Sequence, residues 1–510
     1  MAEGIIESGR FPGGVSLPAH TEESTKEPIA KAPVPDTVVL PLHQHIGAPA
    51  TPLVATGEQV LRGQPIAQAS AFISAWVHAS TSGTVVAVEN RPVAHPSGMT
   101  APCIVIESDG EDEPYREFEP IENYAEAEPV VLHERVRDCG IVGLGGAAFP
   151  TSVKLNVPQQ SVETLILNGA ECEPYISCDD ALMRERADSI VRGAEMMMHI
   201  VQTLHGIIAI EDNKPEAFEA LRTAVDALGE ARIDIVRVPS VYPEGGEKQL
   251  IQMLTDKEVP ADGLPADIGC LMQNVATASA VDDAITLGQA LISRVVTVTG
   301  GGVARPSNLE VRFGTLFSDL IELCGGYTED ISRLIMGGPM MGFALASDEV
   351  PVEKATDCIL AAAAAEIETR YDEMPCIRCG ECARVCPASL LPQQLYWYAR
   401  AEDQERLQHY DLMDCIECGC CAYVCPSHIP LVQYYRHAKS EIWIAGQERI
   451  RADQSRERYQ LRERRLERQE AGRADRLEHK ARRLKEKGRD PIQEIMDRVE
   501  HRNDDSGDSS

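Results

Sequence analysis

Eight cysteines in one stretch carry the most specific chemistry in this chain. Cys376, Cys379, Cys382 and Cys386 form a C-x2-C-x2-C-x3-C-P run, and Cys415, Cys418, Cys421 and Cys425 repeat it. Three thiolates this closely spaced wrap three irons of a cubane, and the fourth, ahead of proline, points to the other cluster of a pair. The spacing assigns one [4Fe–4S] cluster to Cys376, Cys379, Cys382 and Cys425. It assigns a second to Cys415, Cys418, Cys421 and Cys386. The alternatives are zinc and a disulfide scaffold, but zinc sites pair two C-x-x-C units rather than repeating four cysteines with a proline. Cys420 is an extra cysteine inside the second motif, read as a non-ligand that could substitute for Cys418 or Cys421.

A second set of residues could hold an anionic cofactor. Gly143-Leu-Gly145-Gly146-Ala-Ala148-Phe149-Pro150-Thr151 contains a G-x-G-x-x-A string. A Rossmann fingerprint follows a strand, whereas Leu132 to Cys139 reads as helical. Consecutive glycines instead let backbone N–H groups converge into a nest for an anion or a flavin edge. Lys154 could meet a phosphate as a point charge; a mobile glycine loop is the plain alternative. Asn168-Gly-Ala170-Glu171-Cys172-Glu173-Pro174 falls at the carboxyl end of an expected strand, where a ribose or a flavin side chain could be bonded. Tyr242 to Lys248 and Gln273 to Thr277 are read as a third and a fourth loop past strands.

These residues need a scaffold, and the pattern suggests a multidomain α/β plus β chain. Residues 1–36 look extended, strapped across another domain. Residues 37–115 are short strands and turns whose "GxxVxxGxxI" cadence from Gly57 to Ile66 resembles biotinyl/lipoyl-type barrel-sandwich domains. No lysine lies between residues 32 and 153, so covalent biotin or lipoate is excluded there. His43, His45 and His78 read as surface or core residues rather than a metal site. Residues 118–285 alternate strands (163–167, 206–210, 233–238) with helices (180–204, 214–228), which argues a parallel sheet covered by helices. Residues 286–348 have the β-β-α order of a β-grasp module. Residues 350–440 hold the clusters, and the 28 residues between Cys386 and Cys415 favour a helical ferredoxin domain. Residues 441–510 form a charged helical tail, with 16 Lys/Arg against 10 Asp/Glu between Gln447 and Asp490. Asn503 to Ser510 should be disordered.

The net charge of −32 over 510 residues makes nucleic acid an unsuitable partner, because a phosphate backbone requires a basic surface. It also fits a salt-rich cytoplasm, where acidic surfaces are screened. No signal peptide and no run of 18 apolar residues is visible. A cytoplasmic chain is expected, with any membrane attachment made through partner subunits.

Taken together, the glycine string with Lys154, the Asn168–Pro174 turn and the Glu247 loop resemble the FMN- and NADH-binding domain of the complex I flavoprotein. The order of barrel-sandwich, flavin, β-grasp (SLBB) and two-cluster modules resembles the C subunit of the Rnf (Rsx) electron-transport complex. Tyr242-Pro-Glu-Gly-Gly-Glu-Lys-Gln and Met336-Gly-Gly-Pro-Met-Met-Gly also resemble that family. The resemblance implies non-covalent FMN held by Gly143, Gly145, Gly146, Lys154, Asn168, Glu171, Gly245 and Asn274. It implies NAD(H) near Phe149, Glu173 and Glu247. Leu144, Ala170 and Ala276 stand where the complex I pattern has Arg, Asp and Glu. The implied activity is that of a peripheral subunit of a membrane-bound, ion-translocating ferredoxin:NAD⁺ oxidoreductase at the cytoplasmic face of the inner membrane. Its implied partners are integral membrane subunits and a ferredoxin-type subunit. A soluble cobalamin reductase and a flavin-free electron-transfer scaffold are the rival readings.

Overall fold

The computed structural model describes residues 4–5, 12–116, 118–158, 161–229, 231–328, 330–367, 372–488 and 490–504. Two units are distinguished, Met1–Tyr435 and Arg436–Ser510.

The first unit opens with a segment running over other modules. Gly14 N–H donates to Val385 O at 3.0 Å, and Val15 exchanges backbone hydrogen bonds of 2.8 and 3.0 Å with Tyr242. The two-residue strand Ala30–Lys31 then joins the β-grasp sheet. The barrel-sandwich module has two antiparallel sheets. One contains β1 (Thr37–Pro41), β2 (Gln59–Val60), β3 (Gly83–Pro92) and β4 (Thr100–Ser108), in the order β1-β4-β3-β2. The other is three-stranded and contains Thr51–Pro52, Pro65–Gln68 and Val77–His78. His45 and His78 are buried in this module.

The α/β module is built on a parallel sheet. Its strands are β5 (Thr164–Gly169), β6 (Gly206–Glu211), β7 (Ile233–Val238) and β8 (Cys270–Asn274), ordered β7-β6-β5-β8, with Gly4–Ile5 beside β7. Leu165, Ile166 and Leu167 of central β5 are at most 1% exposed. Each such side chain contributes about 1.5–3 kcal/mol on burial. This follows from a strand covered on both faces, which reads as a continuous apolar run.

Helices α1 (Pro129–Asp138), α2 (Cys178–Glu185), α3 (Ala187–Val201), α4 (Pro215–Leu228), α5 (Glu247–Thr255) and α6 (Val275–Thr286) surround the sheet. The single helix expected over 180–204 is two helices, because Arg186 leaves helical geometry at φ −131°. Gln273–Thr277 is not a loop. Gln273 lies in β8, and the Asn274 side chain caps α6 by accepting from Ala276 and Thr277 N–H. α3 and α6 approach closely at Gly193, where a Cβ would lie 1.9 Å from the Ala278 carbonyl oxygen.

The β-grasp sheet runs past its expected limit at 348. β9 (Ser293–Thr299), β10 (Ser307–Arg312), β11 (Ile331–Met336) and β12 (Phe343–Leu345) are joined by β13 (Cys358–Ala363), inserted between β9 and β11. Ala361–Ala363 favour helix intrinsically. Six consecutive buried positions in a sheet interior override that preference.

The cysteine motifs flank α7 (Pro392–Arg400) and α8 (Gln404–His409). α9 (Leu431–Glu486) supplies most of the second unit and is followed by α10 (Pro491–Asp504). Apolar side chains such as Tyr459, Leu461 and Leu477 are exposed on α9. Arg482 and Glu486 form an i,i+4 pair at 3.6 Å. Asn503 and Asp504 are helical, and the rest of the segment expected to be disordered lies outside the described residues. Among the described residues no helix is long and apolar enough to cross a membrane.

Candidate functional site

The two cysteine motifs fold alike. Arg378 and Gly380 take φ of 59° and 84°, and Glu417 and Gly419 take 60° and 84°. These left-handed turns bring the three leading thiols of each motif around one space. Cys376, Cys379 and Cys382 line a cavity together with Cys425 from the other motif. Cys415, Cys418 and Cys421 line a second cavity together with Cys386. Each cavity thus presents the four thiols expected from the spacing, a donor set that suits a cubane cluster. Cys420 lines neither. It is fully buried, and its thiol lies 3.9 Å from the Tyr242 carbonyl oxygen.

The cavities differ in exposure. Cys379 is exposed and Ile377 is 68% exposed at the first, whereas Cys418 and Cys421 are buried at the second.

The flavin-type residues come together at the carboxyl end of β5 and β8. Gly143 N–H donates to Phe149 O at 2.8 Å, closing the glycine loop, and Leu144 N–H donates to Thr277 Oγ1 at 2.9 Å. Gly145 and Gly146 are exposed and Phe149 is half-buried. A Cβ on Gly145 would lie 3.2 Å from the Asn274 side chain, so glycine lets the loop sit close against Asn274. Asn168 Nδ2 donates to Gly245 O at 2.8 Å, and Lys154 Nζ meets Glu247 Oε2 at 2.5 Å. Among the described residues, Gln273 Nε2 and Thr151 Oγ1 are buried without a partner. The Lys154 ammonium and the exposed glycine loop fit a polar anionic cofactor such as FMN.

Two expected cofactor carboxylates line one cavity with Cys172, Lys214 and Tyr242, and both accept backbone hydrogen bonds. Glu171 Oε1 and Oε2 accept from Asp179 N–H at 2.8 Å and Asp180 N–H at 3.2 Å, at the start of α2. Burial and Asp179 push the Glu171 carboxyl up, against the opposing pull of Lys214 3.9 Å away. Glu173 Oε1 accepts from Met340 N–H at 2.6 Å and Met341 N–H at 3.0 Å. Burial pushes its carboxyl up to about 7. Glu173 therefore ties the turn to the 336–342 loop while it lines the cavity.

The flavin-type loops also touch the second cysteine cavity. Tyr242 Oη donates to Cys418 O at 2.7 Å. Cys172 and Met340 pack against a buried group that includes Tyr242, Cys418 and Cys420. Sequence reasoning singled out the loop containing Tyr242 but not this role for its side chain. It also missed Asp179, which accepts from Asn274 Nδ2 at 2.6 Å, and the buried residues Arg294, Glu211 and Glu244. A charged residue inside an apolar strand, such as Arg294 in β9, is the one signal that could have marked any of them.

Residues 136–283 match the family model described as the Nuo51 FMN-binding domain, and residues 9–111 match the RnfC barrel sandwich hybrid domain. Residues 295–344 match the SLBB domain, and residues 368–429 match the 4Fe-4S dicluster domain. Among curated relatives, the C subunit of the ion-translocating oxidoreductase complex of Pseudomonas aeruginosa is 50% identical over 465 residues, 91% of this chain and 60% of the relative. Its namesake in Vibrio cholerae is 46% identical over 482 residues, 93% of this chain and 62% of the relative. That of Serratia proteamaculans is 44% identical over 493 residues, 97% of this chain and 70% of the relative. The chain thus spans 60% and 62% of the length of the first two. A solved NAD⁺-reducing [NiFe]-hydrogenase in the H2-reduced state overlaps 59% of this chain and 61% of its own at a TM-score of 0.43 and 19% identity, too loosely to carry an assignment.

Proposed function

This chain belongs to the family of C subunits of ion-translocating oxidoreductase complexes, and we propose that it is the NAD(H)-handling oxidoreductase subunit of such a complex. Bound FMN supplies the exchange between a two-electron hydride and single electrons. The chain's own residues bind and orient. Gly143, Gly145 and Gly146 present backbone to the cofactor, and Lys154 offers a positive charge that Glu247 holds in place. Asn168, Gly245 and Asn274 fix the surrounding loops. Phe149 flanks the entry for the nicotinamide.

Cys376, Cys379, Cys382 and Cys425 would hold one cluster, and Cys415, Cys418, Cys421 and Cys386 the other. Cys415, Cys418, Cys421 and Cys386 would hold the cluster nearer the flavin pocket and so the first to exchange electrons with it, and the exposed first set would hold the one that faces a partner. The observation that carries this order is the Tyr242 hydrogen bond to Cys418. The partners are the other subunits of the complex, a ferredoxin-type and integral membrane subunits among them, and the chain sits at the cytoplasmic face of the membrane.

Anaerobic addition of NADH to the purified yellow chain tests the reading. Bleaching of the flavin band and then of the broad iron–sulfur absorbance is the expected result. A colourless protein, or one that NADH leaves unchanged, would contradict it.

A further inference from the structure

We propose that Arg294, on the β-grasp module, is a positioning residue for the flavin pocket, and that it turns the Gly145 amide toward the phosphate of the cofactor. The inference rests on the FMN reading given above.

Arg294 lies in β9 and is 5% exposed. Its Nη2 donates to Leu144 O at 2.8 Å, its Nη1 to Lys354 O at 2.6 Å and its Nε to Val295 O at 3.3 Å. All three acceptors are carbonyl oxygens. A guanidinium has donors in a fixed fork, so one side chain can hold several backbone segments at once. Lys354 strengthens the grip three residues before the glycine loop, at Gly140. Its buried ammonium donates to Gly140 O and to Trp76 O, each at 2.7 Å.

The peptide bond converts this grip into an orientation. In a planar trans peptide, the carbonyl of one residue and the N–H of the next point in opposite directions. Arg294 holds the Leu144 carbonyl from the β-grasp side, so the Gly145 N–H faces away from it. Thr277 holds the Leu144 N–H at 2.9 Å, which fixes the preceding peptide as well. Leu144 is 3% exposed, whereas Gly145 is exposed. The anchored atoms are thus on the inside and the free amide is on the open side. A cationic donor on the Leu144 carbonyl also polarises that peptide and makes the Gly145 N–H a stronger donor.

The phosphate is the appropriate target. Leu144 brings no charge to the loop, and Lys154 is already paired with Glu247. A dianionic group here needs oriented amides besides one shared ammonium. Arg294 provides the orientation from 150 residues away.

The test compares FMN with riboflavin, which lacks the phosphate. The full chain, with clusters reconstituted and flavin dialysed away, is titrated with each and followed by fluorescence quenching. Iron content and thermal midpoint report folding. Arg294→Met should weaken FMN binding by about tenfold while riboflavin binding changes by less than about twofold. Arg294→Lys keeps the charge but not the fork, and should lose FMN affinity to an intermediate degree. Should Arg294→Met fail to fold, the lysine variant decides alone. Equal losses for the two flavins, or none, would overturn the inference while leaving the flavin reading intact. An unaltered chain that binds neither flavin would overturn both.

Discussion

Tyr242 Oη donates to the Cys418 carbonyl oxygen at 2.7 Å, across 176 residues of sequence. The same loop packs on the Asn168–Pro174 turn, because Gly245 accepts from Asn168 Nδ2 at 2.8 Å. One loop therefore joins the candidate flavin pocket to the backbone of a proposed cluster ligand. Tyr242→Phe should leave the Cys418 carbonyl unmatched in a buried setting and lower stability by about 1–2 kcal/mol. Stopped-flow absorbance after NADH addition should show flavin reduction at its normal rate and cluster reduction slowed several-fold. Unchanged cluster reduction would remove Tyr242 from the route.

The cross-assignment of ligands can be read from iron. Cys425→Ser should disturb the cluster of Cys376, Cys379 and Cys382, and Cys386→Ser the other, each lowering the iron content by roughly half. Cys420→Ser should leave the iron content unchanged, since that thiol lies 3.9 Å from the Tyr242 carbonyl oxygen and lines neither cavity. Loss of iron in Cys420→Ser would show that it is a ligand.

Local charge separates the two potentials. Arg384 is paired with Glu381, which leaves Arg378 as the uncompensated cation in the first motif. Positive charge and solvent both favour the more negative, reduced state of a cluster. The cluster at Cys376, Cys379 and Cys382 should therefore have the higher potential, and Arg378→Glu should lower it without moving the other. A redox titration that finds both potentials unmoved would refute this.

Glu211 and Glu244 are a buried pair with three carboxyl oxygens that meet no donor among the described residues. Burial pushes both carboxyls up, and for Glu244 its neighbour Glu211 adds to the rise. The folded state then binds more protons here than the unfolded chain does. Stability should accordingly be greatest below the unfolded glutamate range and fall as pH rises from about 4.3 through the folded values. Glu244→Gln replaces the needed proton with an amide donor. It should raise the thermal midpoint at alkaline pH, by about 1 kcal/mol or more in stability, and flatten the pH dependence. Thermal melts of the two proteins from about pH 5 to about pH 9 that run parallel would contradict the pairing.

What was legible in the sequence was local and periodic. The repeated cysteine spacing, the apolar strands ending in loops and the glycine string each carry their information within a dozen residues. The placement of Glu171 and Glu173 was not legible, because the partners of the Glu173 carboxylate are amides 167 and 168 residues away. Cys358–Ala363 was missed as a strand because alanine gives no strand signal and the sheet interior decides its state. Arg294 and Tyr242 act through backbone carbonyls, which no motif records.

Electrons entering from NADH should reach the cluster of Cys386, Cys415, Cys418 and Cys421 first. Freeze-quenched EPR of the anaerobic full chain mixed with NADH tests it most directly, with Cys386→Ser and Cys425→Ser beside the unaltered protein. Cys425→Ser should still show rapid appearance of a reduced-cluster signal, and Cys386→Ser should show it delayed or lost. Rapid reduction in Cys386→Ser with loss in Cys425→Ser would contradict this order.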